Sequence, residues 1–114
     1  MGKYVAVLLL MTAGHTLSWL QNNSQFAWVW WKDKPLIAVC TYAIPCGLLF
    51  WYGSKLGYEA FSSVWSIRFV AFAISYITFP LMTWFFLGES FLNFKTLICV
   101  ALSVIIVLIQ IYWR

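Results

Sequence analysis

The stretch TLICVALSVIIVLIQIYW, residues 96–113, contains no charged side chain and is long enough to cross the hydrocarbon core of a bilayer. A helix needs about 20 apolar residues, with a range of about 17 to 25, to cross a core ~30 Å thick. The whole chain of 114 residues has the same character, since 64% of it is hydrophobic and only 9% is charged. A soluble domain carries about 25% charged residues. The composition therefore predicts an all-α integral membrane protein and excludes a soluble domain.

Three further apolar segments precede this stretch, which makes four predicted spans in one domain, 1–114. The spans cover residues 4–20, 35–54, 60–87 and 96–113. The connections 21–34, 55–59 and 88–95 are short and either polar or rich in turn-forming residues, so neighbouring helices should run antiparallel. We therefore predict a four-transmembrane-helix bundle.

Two local features qualify this layout. The third span is too long for an upright crossing, but its Pro80 removes the backbone hydrogen bond to the Tyr76 carbonyl and permits a kink. Gly53 and Gly57 have the spacing of a close helix contact. They enclose Lys55 at a predicted membrane edge, so we do not expect them to form such a contact.

The positive charges are balanced between the two sides of the membrane. Lys3, Lys55 and Arg114 fall on one side of a four-span chain, and three lysines, Lys32, Lys34 and Lys95, fall on the other. Since an excess of Lys and Arg marks the cytoplasmic side, a balanced chain has little orientation preference. This predicts dual topology and an antiparallel homodimer around a pseudo-two-fold axis in the membrane plane.

Chemistry of the soluble-enzyme type has no support in the sequence. The basic residues form no run that would favour nucleic acid as a partner. The three cysteines have no CxxC pair and no histidine at metal-ligand spacing. We therefore predict no enzyme activity, no metal and no cofactor.

One face of the predicted first helix is polar and aromatic. The residues Thr12, His15, Thr16, Trp19 and Asn23 follow helical i, i+3, i+4, i+7 and i+11 spacing. Such a stripe must face protein or water. Histidine alone among the side chains ordinarily titrates near neutral pH, which makes His15 the candidate for proton coupling. The alternative is a neutral histidine that is hydrogen-bonded to a neighbouring helix.

The third span contains an arginine among aromatic residues. Trp65, Phe72 and Phe79 recur every seven residues, and Arg68 and Ser75 lie within about 60° of the same line. An arginine in hydrocarbon costs about 2.5–3.5 kcal/mol on insertion scales. Arg68 could reach the headgroups, pair with a carboxylate or backbone carbonyls, or face an aqueous cavity as a substrate contact.

The layout and several short motifs resemble the drug/metabolite transporter superfamily, in particular its four-helix members such as the small multidrug resistance proteins. The resemblance covers nearly the whole chain. It depends on LGYEAFSSVWS at residues 56–66, which includes Trp65 and Ser66, and on the run from Pro80 to FLGE at residues 86–89. It implies an antiparallel homodimer in which the first three helices of each copy surround a central cavity. In that arrangement Trp65 lines the cavity and the fourth helices dimerise.

The first span departs from that family in one important respect. It contains no acidic residue, whereas the small multidrug resistance proteins carry a membrane-embedded glutamate there, and His15 is close in position. This departure, together with the presence of Arg68, argues against a bulky cationic drug as the substrate.

We therefore predict a transporter that moves a small polar or charged metabolite by alternating access, with His15 as the candidate protonation switch. The expected partners are the solute, the lipid bilayer and a second copy, and the expected location is the cell (inner) membrane. The alternative is a structural or assembly membrane protein that keeps the fold without transport. The predicted binding residues are His15, Thr16, Trp19, Trp65, Ser66, Arg68, Phe72 and Ser75.

Overall fold

Four long α-helices account for most of the chain in the computed structural model, which describes residues 2–90 and 92–113. No strand occurs in that part of the chain. Arg114, which was counted in the charge balance, and Phe91 in the connection 88–95 lie outside the described residues. The helices are α1 (Gly2–Ala27), α2 (Pro35–Phe61), α3 (Val64–Met82) and α4 (Phe94–Tyr112). A short 3₁₀ turn, Val29–Trp31, links α1 to α2, and a π-helical turn, Thr83–Leu87, continues α3.

Three of these helices are long and apolar enough to cross a membrane. They are α2, α4, and α3 extended by its π-helical turn as Val64–Leu87. Their outer surfaces expose large apolar side chains to the surroundings, as Leu36, Phe85 and Phe94 illustrate. Such a surface is suited to hydrocarbon and not to water. The prediction of a membrane protein is confirmed to the extent that three helices have the length and apolarity of membrane spans. Among the four long helices, α1 alone does not combine that length with sufficient apolarity.

The turn between α2 and α3 lies later in the chain than the sequence suggested. The predicted connection 55–59 is wrong, because α2 continues to Phe61 and the chain reverses at Ser62 and Ser63. Ser62 adopts a left-handed backbone conformation with a φ of 57°. The Ser63 hydroxyl then accepts a hydrogen bond of 3.2 Å from the backbone N–H of Ser66 and caps α3.

The connection between α3 and α4 lies where it was predicted. Gly88 has a φ of 72°, which glycine adopts without steric strain, and it ends the π-helical turn. Asn93 caps α4 by accepting a hydrogen bond of 2.8 Å from the backbone N–H of Thr96. Pro80 lies inside α3, and the π-helical turn begins at Thr83, whose backbone N–H donates to the carbonyls of both Phe79 and Pro80.

α1 runs antiparallel to α2 and parallel to α3. Near its start, the Tyr4 hydroxyl donates to the Ala60 carbonyl at the end of α2, at 3.2 Å. Near its end, the Trp19 indole donates to the Thr83 hydroxyl after α3, at 3.0 Å. The core lies among these three helices and is formed by Val7, Met11, Ile67, Val70 and Ile74.

The glycine pair in α2 does form a close helix contact, contrary to our expectation. Both glycines are buried. A Cβ added at Gly53 would lie 3.1 Å from the methyl carbon of Met11, and one at Gly57 would lie 2.9 Å from Cγ1 of Ile67. The glycines therefore let α1 and α3 approach the backbone of α2, which explains why a turn-forming residue lies in the helix at position 57.

α4 lies against α3 at the edge of the molecule, and none of its residues is buried in the single chain. The molecule measures 48 × 35 × 19 Å and is therefore flat. Its thinnest dimension corresponds to about two helix diameters. A flat layer of helices leaves two broad faces exposed.

Candidate functional site

A groove follows the seam between α1 and α3 along most of their length. It consists of three cavities of about 660, 190 and 480 Å³ in order from the start of α3 to its end. His15 and Ser18 line both the first and the second cavity, and Asn23 and Phe79 line both the second and the third. We call the three cavities together the α1–α3 groove.

The first cavity is lined by residues of α1, α2 and α3. Its volume of about 660 Å³ lies within the range of small-molecule sites, which is about 300–1,000 Å³. Most of its wall is apolar, with a few polar groups among the aromatic and aliphatic side chains. The lining residues with polar groups are His15, Ser18, Ser54, Tyr58 and Arg68.

His15 has a ring nitrogen that the protein does not satisfy. Its Nε2 atom is buried and has no hydrogen-bond partner among the described residues. The ring packs edge-on against Phe50 of α2, with 4.9 Å between centroids and an angle of 71° between the planes. Buried polar atoms in proteins are nearly always paired, so the unpaired nitrogen marks His15 as an unusual group of the cavity wall, although Nε2 itself has no surface open to the cavity.

Arg68 also contacts the first cavity without a carboxylate partner. Within residues 2–90 and 92–113, no acidic side chain lies within ion-pair distance of its guanidinium group. The guanidinium carbon lies 4.7 Å from the ring centroid of Phe72, which is a cation–π contact. This contact orients the arginine beside the cavity but leaves its hydrogen-bond donors available to a solute.

The second cavity contains smaller polar groups. Ser75 donates a hydrogen bond of 2.7 Å to the Phe72 carbonyl one turn earlier, so its hydroxyl is already satisfied as a donor. Trp19 is 3% exposed, and its indole holds the π-helical turn through the bond to Thr83. These two residues shape the groove, and Trp19 has a clear structural role.

The structure brings together five of the eight predicted binding residues and separates three. His15, Arg68 and Phe72 line the first cavity, and Trp19 and Ser75 line the second. The other three, Thr16, Ser66 and Trp65, line none of the three cavities of the groove.

Each of the three separated residues has another local role. The Thr16 hydroxyl donates to the Thr12 carbonyl at 2.8 Å. Ser66 belongs to the cap of α3, where its backbone N–H donates to Ser63. Trp65 is 68% exposed and stacks on Phe69 with 6.0 Å between centroids and an angle of 18° between the planes.

The position of Trp65 follows from the twist of the groove around α3. At the start of this helix the lining residues are Val64, Ile67 and Arg68, which share one face by their spacing of three and four. Trp65 comes one position after Val64 and therefore points about 100° away from it. Residues seven positions apart lie on a nearly straight line along a helix, whereas the residues that line the groove turn around α3.

Several residues that line the groove were not among the binding residues predicted from the sequence. Ser18 and Asn22 follow His15 at i+3 and i+7, so the helical spacing that singled out His15 could have found them. Phe50, Ser54 and Tyr58 come from α2. These three have i, i+4 and i+8 spacing, but most of α2 is apolar on all sides, which hides the face that meets α1.

The described residues contain no group of three or more His, Cys, Asp or Glu side chains that could hold a metal ion. Comparison with known proteins gives no further guide, because no protein-family model, no curated protein and no solved structure matches this chain. The α1–α3 groove is therefore the feature of the described residues that points most directly to a function.

Proposed function

We propose that this protein is a small transporter that moves a small polar or charged metabolite across a membrane by alternating access. The observation that carries the proposal is the first cavity of the α1–α3 groove. This cavity places an unpaired imidazole nitrogen and an arginine without a carboxylate partner beside helices of membrane-spanning length. The sequence motifs that resemble the drug/metabolite transporter superfamily support the same function.

In this proposal α1 is the fourth membrane span. With 26 residues it is about 39 Å long, which exceeds the ~30 Å of the hydrocarbon core. It packs lengthwise against α2 and α3, both of which are long enough to span. Of its polar residues, His15, Ser18, Asn22 and Asn23 line the groove, and the Thr16 hydroxyl is hydrogen-bonded within the helix.

The transporter acts as an antiparallel homodimer in the cell (inner) membrane. The cavities of the α1–α3 groove are only partly enclosed by the single chain, and polar groups exposed to hydrocarbon are costly. A second copy laid over the open side of the groove would convert two open grooves into one enclosed cavity. Rocking of the two copies would then expose the cavity to each side of the membrane in turn.

The residues of the first cavity have distinct roles in this mechanism. Arg68 binds an anionic or hydrogen-bonding group of the solute, and Phe72 holds the guanidinium in place. His15 binds a proton, or hydrogen-bonds the solute when its ring turns Nε2 toward the cavity. Because a cation–π contact is weak, about 0.5–2 kcal/mol, the arginine can turn from Phe72 to a solute without a large cost.

The experiment is current recording from proteoliposomes on a solid-supported membrane. The panel consists of carboxylated, phosphorylated and zwitterionic metabolites, tested at several pH values. We expect His15→Gln and Arg68→Gln to lower the response to an active solute at least tenfold. The matched control Lys55→Gln removes a cationic side chain outside the groove, as Arg68→Gln does inside it, and it should leave the response unchanged.

The alternative is a structural or assembly protein of the membrane that does not transport. The exposed stack of Trp65 on Phe69 favours it, because exposed aromatic surfaces suit contacts with other membrane subunits. A silent response across the whole panel, from protein that folds and inserts, would refute transport and favour this alternative.

A further inference from the structure

The acidic side chains of this chain are few enough to be assigned one by one. There are three. Glu59 lies 3.7 Å from the amino group of Lys3, and so has a partner within the chain. Asp33 lies in the connection between α1 and α2, between two lysines, and lines a surface pocket with both of them. Glu89 remains, and it lies in the wall of the third cavity, at the end of the α1–α3 groove.

Arg68 and Glu89 therefore lie at opposite ends of the same groove. Arg68 lines the first cavity near the start of α3, and Glu89 lines the third cavity just beyond its end. At 1.5 Å per residue their separation along the axis is about 30 Å, which is close to the thickness of the hydrocarbon core. Within one chain the two charges cannot meet.

We propose that a second copy of this chain, inverted in the membrane, covers the groove so that Glu89 of the partner subunit pairs with Arg68. The same contact forms a second time by symmetry, at the other end of the groove. The two-fold axis then passes through the level of Phe79, which is midway between positions 68 and 89 and lies where the second and third cavities meet. This inference rests on the dimer in the proposed function and adds Glu89 to its site.

Charge complementarity selects the inverted orientation over the parallel one. If the two copies had the same orientation, Arg68 would face Arg68 and Glu89 would face Glu89 across the grooves. Like charges placed together in a partly desolvated interface are destabilising. In the inverted arrangement each arginine has a carboxylate, and a bidentate guanidinium–carboxylate pair is among the stronger polar contacts in proteins.

The pairing also bears on how a solute enters. Each ion pair would close one end of the shared cavity and leave the region around His15 enclosed. A solute with an anionic group would replace Glu89 of the partner subunit on Arg68 at one end only. That exchange provides a physical basis for opening one side at a time.

The test is cross-linking between cysteines introduced at the two positions. In a background of Cys40→Ser, Cys46→Ala and Cys99→Ser, one tagged chain carries Arg68→Cys, and a second chain with a different tag carries Glu89→Cys. The two chains are expressed together and treated in membranes with a short bis-maleimide. We expect a product that contains both tags and little product from Arg68→Cys alone. Lys55→Cys replaces Arg68→Cys in the control, because Lys55 lies on the same side of the membrane but outside the groove.

The outcomes separate the pairing from the dimer and from transport. Cross-linking of Arg68→Cys to itself would overturn the proposal in favour of parallel copies. A dimeric protein by light scattering without the mixed product would overturn the pairing and leave the proposed function intact. A monomeric protein in both detergent and membranes would overturn the pairing and the dimeric mechanism together.

Charge reversal provides a second measurement that does not depend on introduced cysteines. Arg68→Glu and Glu89→Arg should each lower the dimeric fraction several-fold, because each creates two like-charge contacts. The double variant restores opposite charges in both places and should recover the dimer. If the double variant is as monomeric as either single variant, the two residues do not face each other.

Discussion

Substitution of Gly14 by alanine tests the contact that shapes the first cavity. A Cβ at this position would lie 2.8 Å from Cε1 of the Phe50 ring and 3.0 Å from two further ring atoms. The ring cannot bend away at one atom, so it must move as a unit. Since Phe50 also packs against His15 and lines the cavity, its displacement changes the site as well as the stability.

The magnitude follows from comparison with a glycine that has free space. A Cβ added at Gly47 in α2 meets nothing within 4 Å. Alanine at either position gains about 1 kcal/mol of helix propensity, but only Gly14→Ala incurs the overpacking cost of about 1–3 kcal/mol. The propensity gain is common to both variants and cancels. We therefore expect Gly14→Ala to be less stable than Gly47→Ala by about 1–3 kcal/mol.

The assay is unfolding in mixed micelles of mild detergent and dodecyl sulfate, followed by circular dichroism. The variant Phe50→Leu removes the ring that the new methyl group would meet. Combined with Gly14→Ala, it should give a double variant more stable than the sum of the single effects predicts. The reasoning fails if Gly14→Ala is as stable as Gly47→Ala, or if the two changes are additive.

Two further predictions follow from individual contacts. Trp19→Phe removes the donor to the buried Thr83 hydroxyl and should lower the free energy of unfolding by about 1–3 kcal/mol in the same assay. Adding Thr83→Val should lower it little further, because both changes break the same hydrogen bond. Full additivity of the two effects would contradict the bond. Cys46 is buried, whereas Cys40 and Cys99 are exposed, so a maleimide reagent that is soluble in detergent should label two thiols rapidly and the third only on unfolding. Equal labelling rates at all three, measured by mass spectrometry of peptides, would contradict the packing of α1 on α2.

The membrane character, the start of α2 and both ends of α4 could be predicted from the sequence to within two residues, because they depend on local properties. Long uncharged stretches specify spans, and Asn93 caps α4 as its residue type favours. The end of the first span at residue 20 was wrong, since α1 continues to Ala27 through part of the predicted connection 21–34. The end of α2 was misplaced because Gly57 was interpreted as part of a turn, although its role is close packing against Ile67. Whether a glycine serves a turn or a helix contact depends on its neighbours in space, which a single sequence does not specify.

The candidate site was predicted in part for a similar reason. His15 and Arg68 stand out because an ionisable group in an apolar helix needs a polar environment. Phe50 and Tyr58 do not stand out, because a helix that is apolar all round gives no sign of which face meets protein and which meets lipid. Trp65 was placed in the site by the family resemblance and by a straight seven-residue repeat, whereas the groove turns around α3.

α1 and α4 differ both in polarity and in the number of helices that shield them. α1 packs against both α2 and α3, and it carries the polar stripe that includes His15. α4 lies against α3 at the edge, and beyond Lys95 in its first turn it carries no charged residue in its described part. A helix with two helical neighbours can turn polar groups toward a groove between them, whereas a helix at the edge must present apolar atoms to lipid in most directions. The lower apolarity of α1 therefore agrees with the proposal that α1 is a fourth span, which lines the groove beside α2 and α3.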